Sequence, residues 1–303
     1  MRLQPGVSLD QETKRGLTLI APPLLYALAL LAGPLLAIFL FSFWTQDYLT
    51  IDRTPTLANY AEALTDPIYR TIMLRSLWIS GAVTIATVVL AFPVAYYVSF
   101  RVAPSRKSLW LFLITIPFWT SYLLRIFLWK VILGYNGVIN SLLEPINPWI
   151  VALGQRLGLE WDGLAAPLYS PEAVIITLSH AFAPFAILPI FVALEKIDRN
   201  LLEAARDLGE NAVTTFFRVT LPLAMPGVVA ALLIVFIPTV GDYVTPALVG
   251  GPNGLMIANM IQTQFLGLNN APMGATLAVV AMVLVTIIAL ATVALARRLS
   301  GGR

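Results

Sequence analysis

The chain of 303 residues is 58% hydrophobic and 12% charged, whereas a soluble globular protein is roughly half apolar and a quarter charged, so most of it belongs in a membrane. With no cysteine and one histidine, His180, disulfide frameworks, thiolate metal sites and histidine clusters are excluded. The net charge of +3 then reports membrane topology rather than nucleic-acid binding.

A spanning helix needs about 20 mostly apolar residues, and six stretches qualify, at 17–43, 72–100, 109–133, 171–194, 226–249 and 272–296. The first follows Lys14 and Arg15, is too long for a signal-peptide core and has no small-residue cleavage site, so it reads as a retained span. The outer connections are 44–69 and 134–170. The second is apolar but interrupted by Pro145 and Pro148, which predicts a helix lying at the interface with Trp149 and Trp161 as anchors. Ser170, Pro171 and Glu172 form a hydroxyl cap, a first-turn proline and a dipole-matched acid, which start the fourth span. Pro34, Pro93, Pro117, Pro184, Pro189 and Pro238 read as packing kinks within spans. Residues 1–303 read as one membrane domain of an all-α protein.

Six spans put both termini on one side. The segments on that side hold 13 of the 19 basic residues, the opposite loops only Arg53, Arg70 and Arg156. The positive-inside rule places both termini and residues 195–222 in the cytoplasm.

Residues 195–222 form the one charge-dense segment between two long apolar runs. Asn200 is a possible N-cap with Glu203 three residues on, and Leu201, Ala204, Ala205 and Leu208 fall on one helix face. Gly209 ends that helix. A second helix starts after Asn211, carries Phe216, Phe217 and Val219, and is expected to break at Pro222. The apolar face could pack on the chain's own loops, lie on headgroups or dock into another protein. EAARDLG followed by RVTLP resembles the EAA-x3-G-x9-I-x-LP signature of the permease subunits of binding-protein-dependent ABC importers. Glu203, Ala204, Ala205, Gly209, Leu221 and Pro222 stand in the pattern, with Val219 where the family has Ile. The resemblance implies the type I ABC importer permease fold, six transmembrane helices with a cytoplasmic coupling helix that fits a cleft on an ATPase subunit.

The phosphate-cradling GxxxxGK[ST] loop is missing. None of Lys14, Lys107, Lys130 and Lys196 follows a glycine, so energy comes from a partner or an ion gradient. GxSxG and HExxH motifs are missing as well, and a membrane enzyme has no cluster to work with.

Ionisable residues inside a membrane are site candidates. Arg75 lies where it can snorkel, and His180 reads as a neutral packing residue. Asp242 follows the apolar run AALLIVFIPTVG. Counted along straight helices, it lies about 24 Å from the cytoplasmic end, as does Arg125 in the third span. Two readings stay open, an Asp242–Arg125 ion pair and a direct substrate ligand.

The stretches IPFWTSYLLRIFLWKVILGYNGVINSLL, LEKIDRNLLEAARDLG and VFIPTVGDYVTPALVGG resemble the spermidine/putrescine-type branch of these permeases. That implies two different permeases, two ATPase subunits carrying ATP and Mg²⁺, a periplasmic or lipoprotein receptor, and a bacterial inner membrane, with no cofactor on this chain. Asp242, Tyr243, Trp119 and Tyr122 suit an amine through charge and cation–π contact. The competing reading is a self-contained ion-coupled transporter, which should show inverted repeats and midplane carboxylates.

Overall fold

The computed structural model describes residues 11–48, 50–157 and 164–299; the expected anchor Trp161 lies outside them. Among the described residues five helices are long and apolar enough to cross a membrane, and a bent pair makes a sixth where its two halves count as one span. The chain opens with α1 (Gln11–Phe41), then a two-stranded antiparallel hairpin, β1 (Thr45–Asp47) and β2 (Thr50–Asp52). This small sheet is an addition to the expected all-helical architecture. After α2 (Ala58–Thr65), α3 (Pro67–Phe100) starts five residues earlier than hydropathy suggests. Its start is fixed by Asp66, whose Oδ1 accepts from Ile68 N at 2.6 Å, and by Pro67 in the first position.

The third span is not one helix. It consists of α4 (Pro104–Thr115), a 3-10 turn at Ile116–Trp119 and α5 (Tyr122–Ile132), bent by 85°. Pro117 has no N–H to give the preceding turn, and Thr120 and Ser121 are extended, with ψ of 148° and 136°. Pro34, Pro93, Pro184, Pro189 and Pro238 lie inside unbroken helices. The expected interfacial helix is two, α6 (Val138–Leu143) and α7 (Asn147–Arg156), separated around Pro145. Trp149 projects outward.

Helix α8 (Pro171–Glu195) starts as expected, with Ser170 Oγ accepting from Ala173 N at 3.2 Å. Next come α9 (Arg199–Asp207), α10 (Ala212–Thr215), a π turn at Phe216–Thr220 and α11 (Leu221–Val240). The chain stays helical from Ala212 to Val240, so the expected break at Pro222 does not occur. In the wider turn Leu221 N bonds Phe216 O, and Pro222 falls in the first turn of α11, where a missing N–H is tolerated. The fifth span ends at Val240 rather than Val249. Beyond it the chain folds back through a π turn at Pro246–Gly250, α12 (Gly251–Gly254), α13 (Ile257–Gln262) and a second π turn at Thr263–Gly267 before α14 (Ala271–Leu299).

The main core lies where α3, α8 and α11 meet, around Ile79, Val83, Leu178, Ile190, Leu194 and Val235. A second cluster joins α13 and α14 to it through Phe236, Ile257, Met273 and Leu277. Helix α1 touches α14 and leaves most of its apolar side chains exposed.

At the crossing of α8 and α11, a Cβ on Gly227 would lie 2.5 Å from both Ala193 Cβ and Pro189 O, the close approach that small residues permit between membrane helices. Gly227→Leu should therefore destabilise the fold by about 1–3 kcal/mol, the usual scale of overpacking. Gly81→Ala, with nothing within 4 Å of its Cβ, should not lower the midpoint. Thermal unfolding of the two variants in the same detergent checks the contrast.

Candidate functional site

The first candidate is the charge-dense segment between α8 and α11. Asp198, not Asn200, caps α9. Its Oδ1 accepts from Asn200 N at 3.0 Å, because the chain leaves the helix through turns at Lys196 and Ile197 and reaches extended geometry at Asp198 first. Asn200 lies inside the helix. The helix ends as expected at Gly209, with φ of +83°. Gly209 N bonds Arg206 O at 2.9 Å and Glu210 N bonds Ala205 O at 3.1 Å, the paired bonds of a Schellman end. Asn211 Oδ1 accepts from Thr214 N at 2.9 Å and starts α10, while Arg218 pairs with Glu210 at 2.6 Å. Of the predicted apolar face only Ala205 is turned inward; Leu201, Ala204 and Leu208 are exposed, Leu208 by 85%, and so is Glu203. Leu221 and Pro222 are half-buried, and Phe216 and Leu221 pack against the main core.

The membrane candidate lies between the two interruptions. Asp242, 9% exposed, sits in the turn after α11. Its Oδ1 accepts from Val244 N at 2.9 Å and Thr245 N at 3.3 Å, and its Oδ2 accepts from the Tyr122 hydroxyl at 2.6 Å. Tyr122 OH is also 2.8 Å from Thr245 Oγ1. Tyr122 and Asp242 are thus brought together as the sequence suggests.

The expected Asp242–Arg125 ion pair is absent among the described residues. Equal depth was counted along a straight third span, and that span is bent. Arg125, 7% exposed, uses its guanidinium on the backbone freed by the bend. Nη2 donates to Pro117 O at 2.6 Å and Thr120 O at 3.2 Å, and Nη1 to Ala181 O at 3.3 Å. Trp119 is 77% exposed, lies edge-on to Phe112 and makes no hydrogen bond to the carboxylate. Tyr243 has an exposed ring, while its carbonyl accepts from Asn259 Nδ2 at 2.7 Å. Beside this cluster Phe118, Thr120, Tyr122, Arg125, Phe182 and Phe185 line a cavity of about 350 Å³.

Thr245 and Asn259 were missed. Asn259 also accepts from Met256 N at 3.0 Å, so one amide ties the start of the returning segment to the start of α13. Its polar side chain in the apolar run MIANMI was the available signal. The remaining intramembrane polar groups serve packing. His180 Nδ1 accepts from Trp129 Nε1 at 3.2 Å, Arg75 donates to Pro252 O at 3.0 Å, and Lys130 Nζ lies 5.7 Å from the Tyr169 ring centroid.

The sequence from 17 to 301 matches the family described as "Binding-protein-dependent transport system inner membrane component". The chain belongs to that family. It is 38% identical over 256 residues to the spermidine/putrescine transport system permease protein PotB of Haemophilus influenzae, covering 84% of this chain and 85% of that protein. It is 36% identical over 282 residues to the inner membrane ABC transporter permease protein YdcU of Escherichia coli, covering 89% and 86%. A crystallised bacterial alginate ABC transporter, in complex with an alginate pentasaccharide-bound periplasmic protein, superposes with a TM-score of 0.67 over 96% of this chain and 98% of that one at 16% identity. The fold is that of type I ABC importer permeases, and the protein is a multi-pass inner-membrane transport subunit. Family membership decides against a self-contained ion-coupled transporter.

For this permease, Arg125→Gln should lower thermal stability by about 1.5–3 kcal/mol, the scale of hydrogen bonds from a charged donor. Adding Asp242→Asn should give no recovery. An intramembrane ion pair would instead show partial rescue in the double variant.

Proposed function

We propose that this permease is one of two dissimilar membrane subunits of an ATP-driven importer and that it passes a cationic amine of the polyamine class along Asp242. The observation carrying the substrate class is the Asp242 carboxylate. It is held by two backbone amides and a tyrosine, has no cation partner among the described residues, and stands beside an aromatic-lined cavity. A carboxylate so placed favours a positively charged guest, and relatives over most of the chain are named as spermidine/putrescine permeases. An amine entering from the cavity takes the position of the Tyr122 hydroxyl on Oδ2, while Tyr122, Phe118 and Phe182 offer ring faces for cation–π contact.

In this reading the segment at 199–222 faces the cytoplasm, which the positive-inside bias of the basic residues supports, and docks on an ATPase subunit. Two such subunits bind ATP and Mg²⁺, and a periplasmic or lipoprotein receptor delivers the solute. The exposed Leu201, Leu208, Val213 and Phe217 form an apolar surface on a charged segment, the mixture that a protein interface buries. Gly209 sets the angle between the two parts of that surface.

Receptor-dependent spermidine uptake by the reconstituted complex tests the proposal. Asp242→Asn should leave recovery of the complex unchanged and reduce uptake about ten- to hundredfold, the loss of roughly 1.5–3 kcal/mol for a charged contact. Normal uptake by that variant refutes the role of Asp242. Gly209→Val, forced into φ above zero at a cost of about 1–2 kcal/mol, should impair receptor stimulation of ATP hydrolysis; wild-type stimulation counts against the docking surface.

A further inference from the structure

Helix α4 turns a charged side chain inward, as ionisable residues in membrane helices do. Among its twelve residues Lys107 is the buried one, while Leu109, Trp110, Phe112 and Leu113 are exposed. Helices are normally held by apolar side chains, with charges kept in water. Here Leu111 and Ile114 pack partly against the main core, and the one buried side chain of the helix is a charge. Lys107 is 9% exposed, and its Nζ donates to Glu195 Oε1 at 2.6 Å. The same oxygen accepts from Ser99 Oγ at 2.6 Å, and Arg199 Nη2 donates to Ser99 O at 3.3 Å. The end of α8, the end of α3, the start of α4 and the start of α9 therefore meet around one carboxylate.

The other end of α4 runs into the bend of the third span, where Arg125 holds the carbonyls of Pro117 and Thr120 and Tyr122 reaches Asp242. Lys107 is 88 residues from Glu195 in sequence, so movement of α9 reaches α4 through this contact rather than along the chain. We propose that the Lys107–Glu195 pair, with Ser99 and Arg199, is the tie through which displacement of the coupling segment moves the bent third span and so changes access to Asp242. This rests on the reading of 199–222 as the ATPase-docking surface. Lys107 is the buried member and Glu195 the more open one, with side chains 11% and 34% exposed, so separating them leaves the lysine poorly solvated. Only Leu111 and Ile114 add apolar packing between α4 and the core.

The test uses the assembled complex in proteoliposomes with its receptor, with spermidine uptake and ATP hydrolysis measured on the same vesicles. Lys107→Gln and Glu195→Gln should retain the ATPase subunits and basal hydrolysis yet import about tenfold fewer molecules per ATP, the scale of one charge-assisted contact. The double reversal Lys107→Glu with Glu195→Lys should recover to within about threefold of wild type, since a cycle of this kind isolates the pair. An unchanged ratio in the single variants overturns the proposal, as does a double reversal that stays at the single-variant level in an intact complex. Loss of ATPase subunits from the single variants also overturns it, because the pair would then serve assembly. Failure to recover ATPase subunits with the wild-type chain refutes the docking reading itself, before any variant is compared.

Discussion

A backbone amide or carbonyl freed within a bilayer needs a partner from the protein, and this permease frees such groups where the third span bends and where the chain folds back after the fifth. Two charged side chains meet the requirement in complementary ways. Arg125, a donor only, takes the carbonyls of Pro117 and Thr120 at the bend and reaches Ala181 O on α8; Asp242, an acceptor when ionised, takes the amides of Val244 and Thr245. Each charge is thereby placed by backbone rather than by the other. The Tyr122 hydroxyl closes the gap from the carboxylate side. A carboxylate held this way is fixed in space and, among the described residues, has no cationic partner, a condition that an ion pair would have removed.

The segment between α8 and α11 follows the same economy of means. Its two short helices are set by three local devices, the Asp198 cap, the left-handed Gly209 and the Asn211 cap. None depends on the membrane core, so the segment keeps its shape at the surface. Its contacts inward are polar at one end, through Glu195, and apolar at the other, where Phe216 meets Phe92 and Tyr96. The continuous helix from Ala212 to Val240 carries the second link past Pro222 to the turn that holds Asp242.

What the sequence revealed was either local or periodic. Gly209, Asn211 and the Ser170 start were legible because a cap is determined by residues within one turn, and the long apolar runs were legible because length alone selects them. The bends were not. Hydropathy averages over a window and gives Pro117 the same weight as the prolines that lie inside unbroken helices. The straight-helix depth count then brought Arg125 to Asp242, when the bend had given Arg125 other acceptors. Asp198 displaced Asn200 as the cap because two suitable residues stood two positions apart and only the path of the chain after α8 chooses between them. Lys107 looked like one more cytoplasmic basic residue, since nothing in its neighbourhood marks Glu195, 88 residues away, as its partner.

The central claim is that Asp242 waits without a cation until the solute supplies one. Cryo-electron microscopy of the receptor-engaged, nucleotide-trapped complex loaded with spermidine tests it directly. The account predicts an amine nitrogen within hydrogen-bonding distance of Asp242 Oδ2, with the Tyr122 hydroxyl displaced and Arg125 still on the carbonyls of the bend. Spermidine bound elsewhere with the Tyr122–Asp242 bond intact, or Arg125 swung onto Asp242, would contradict it.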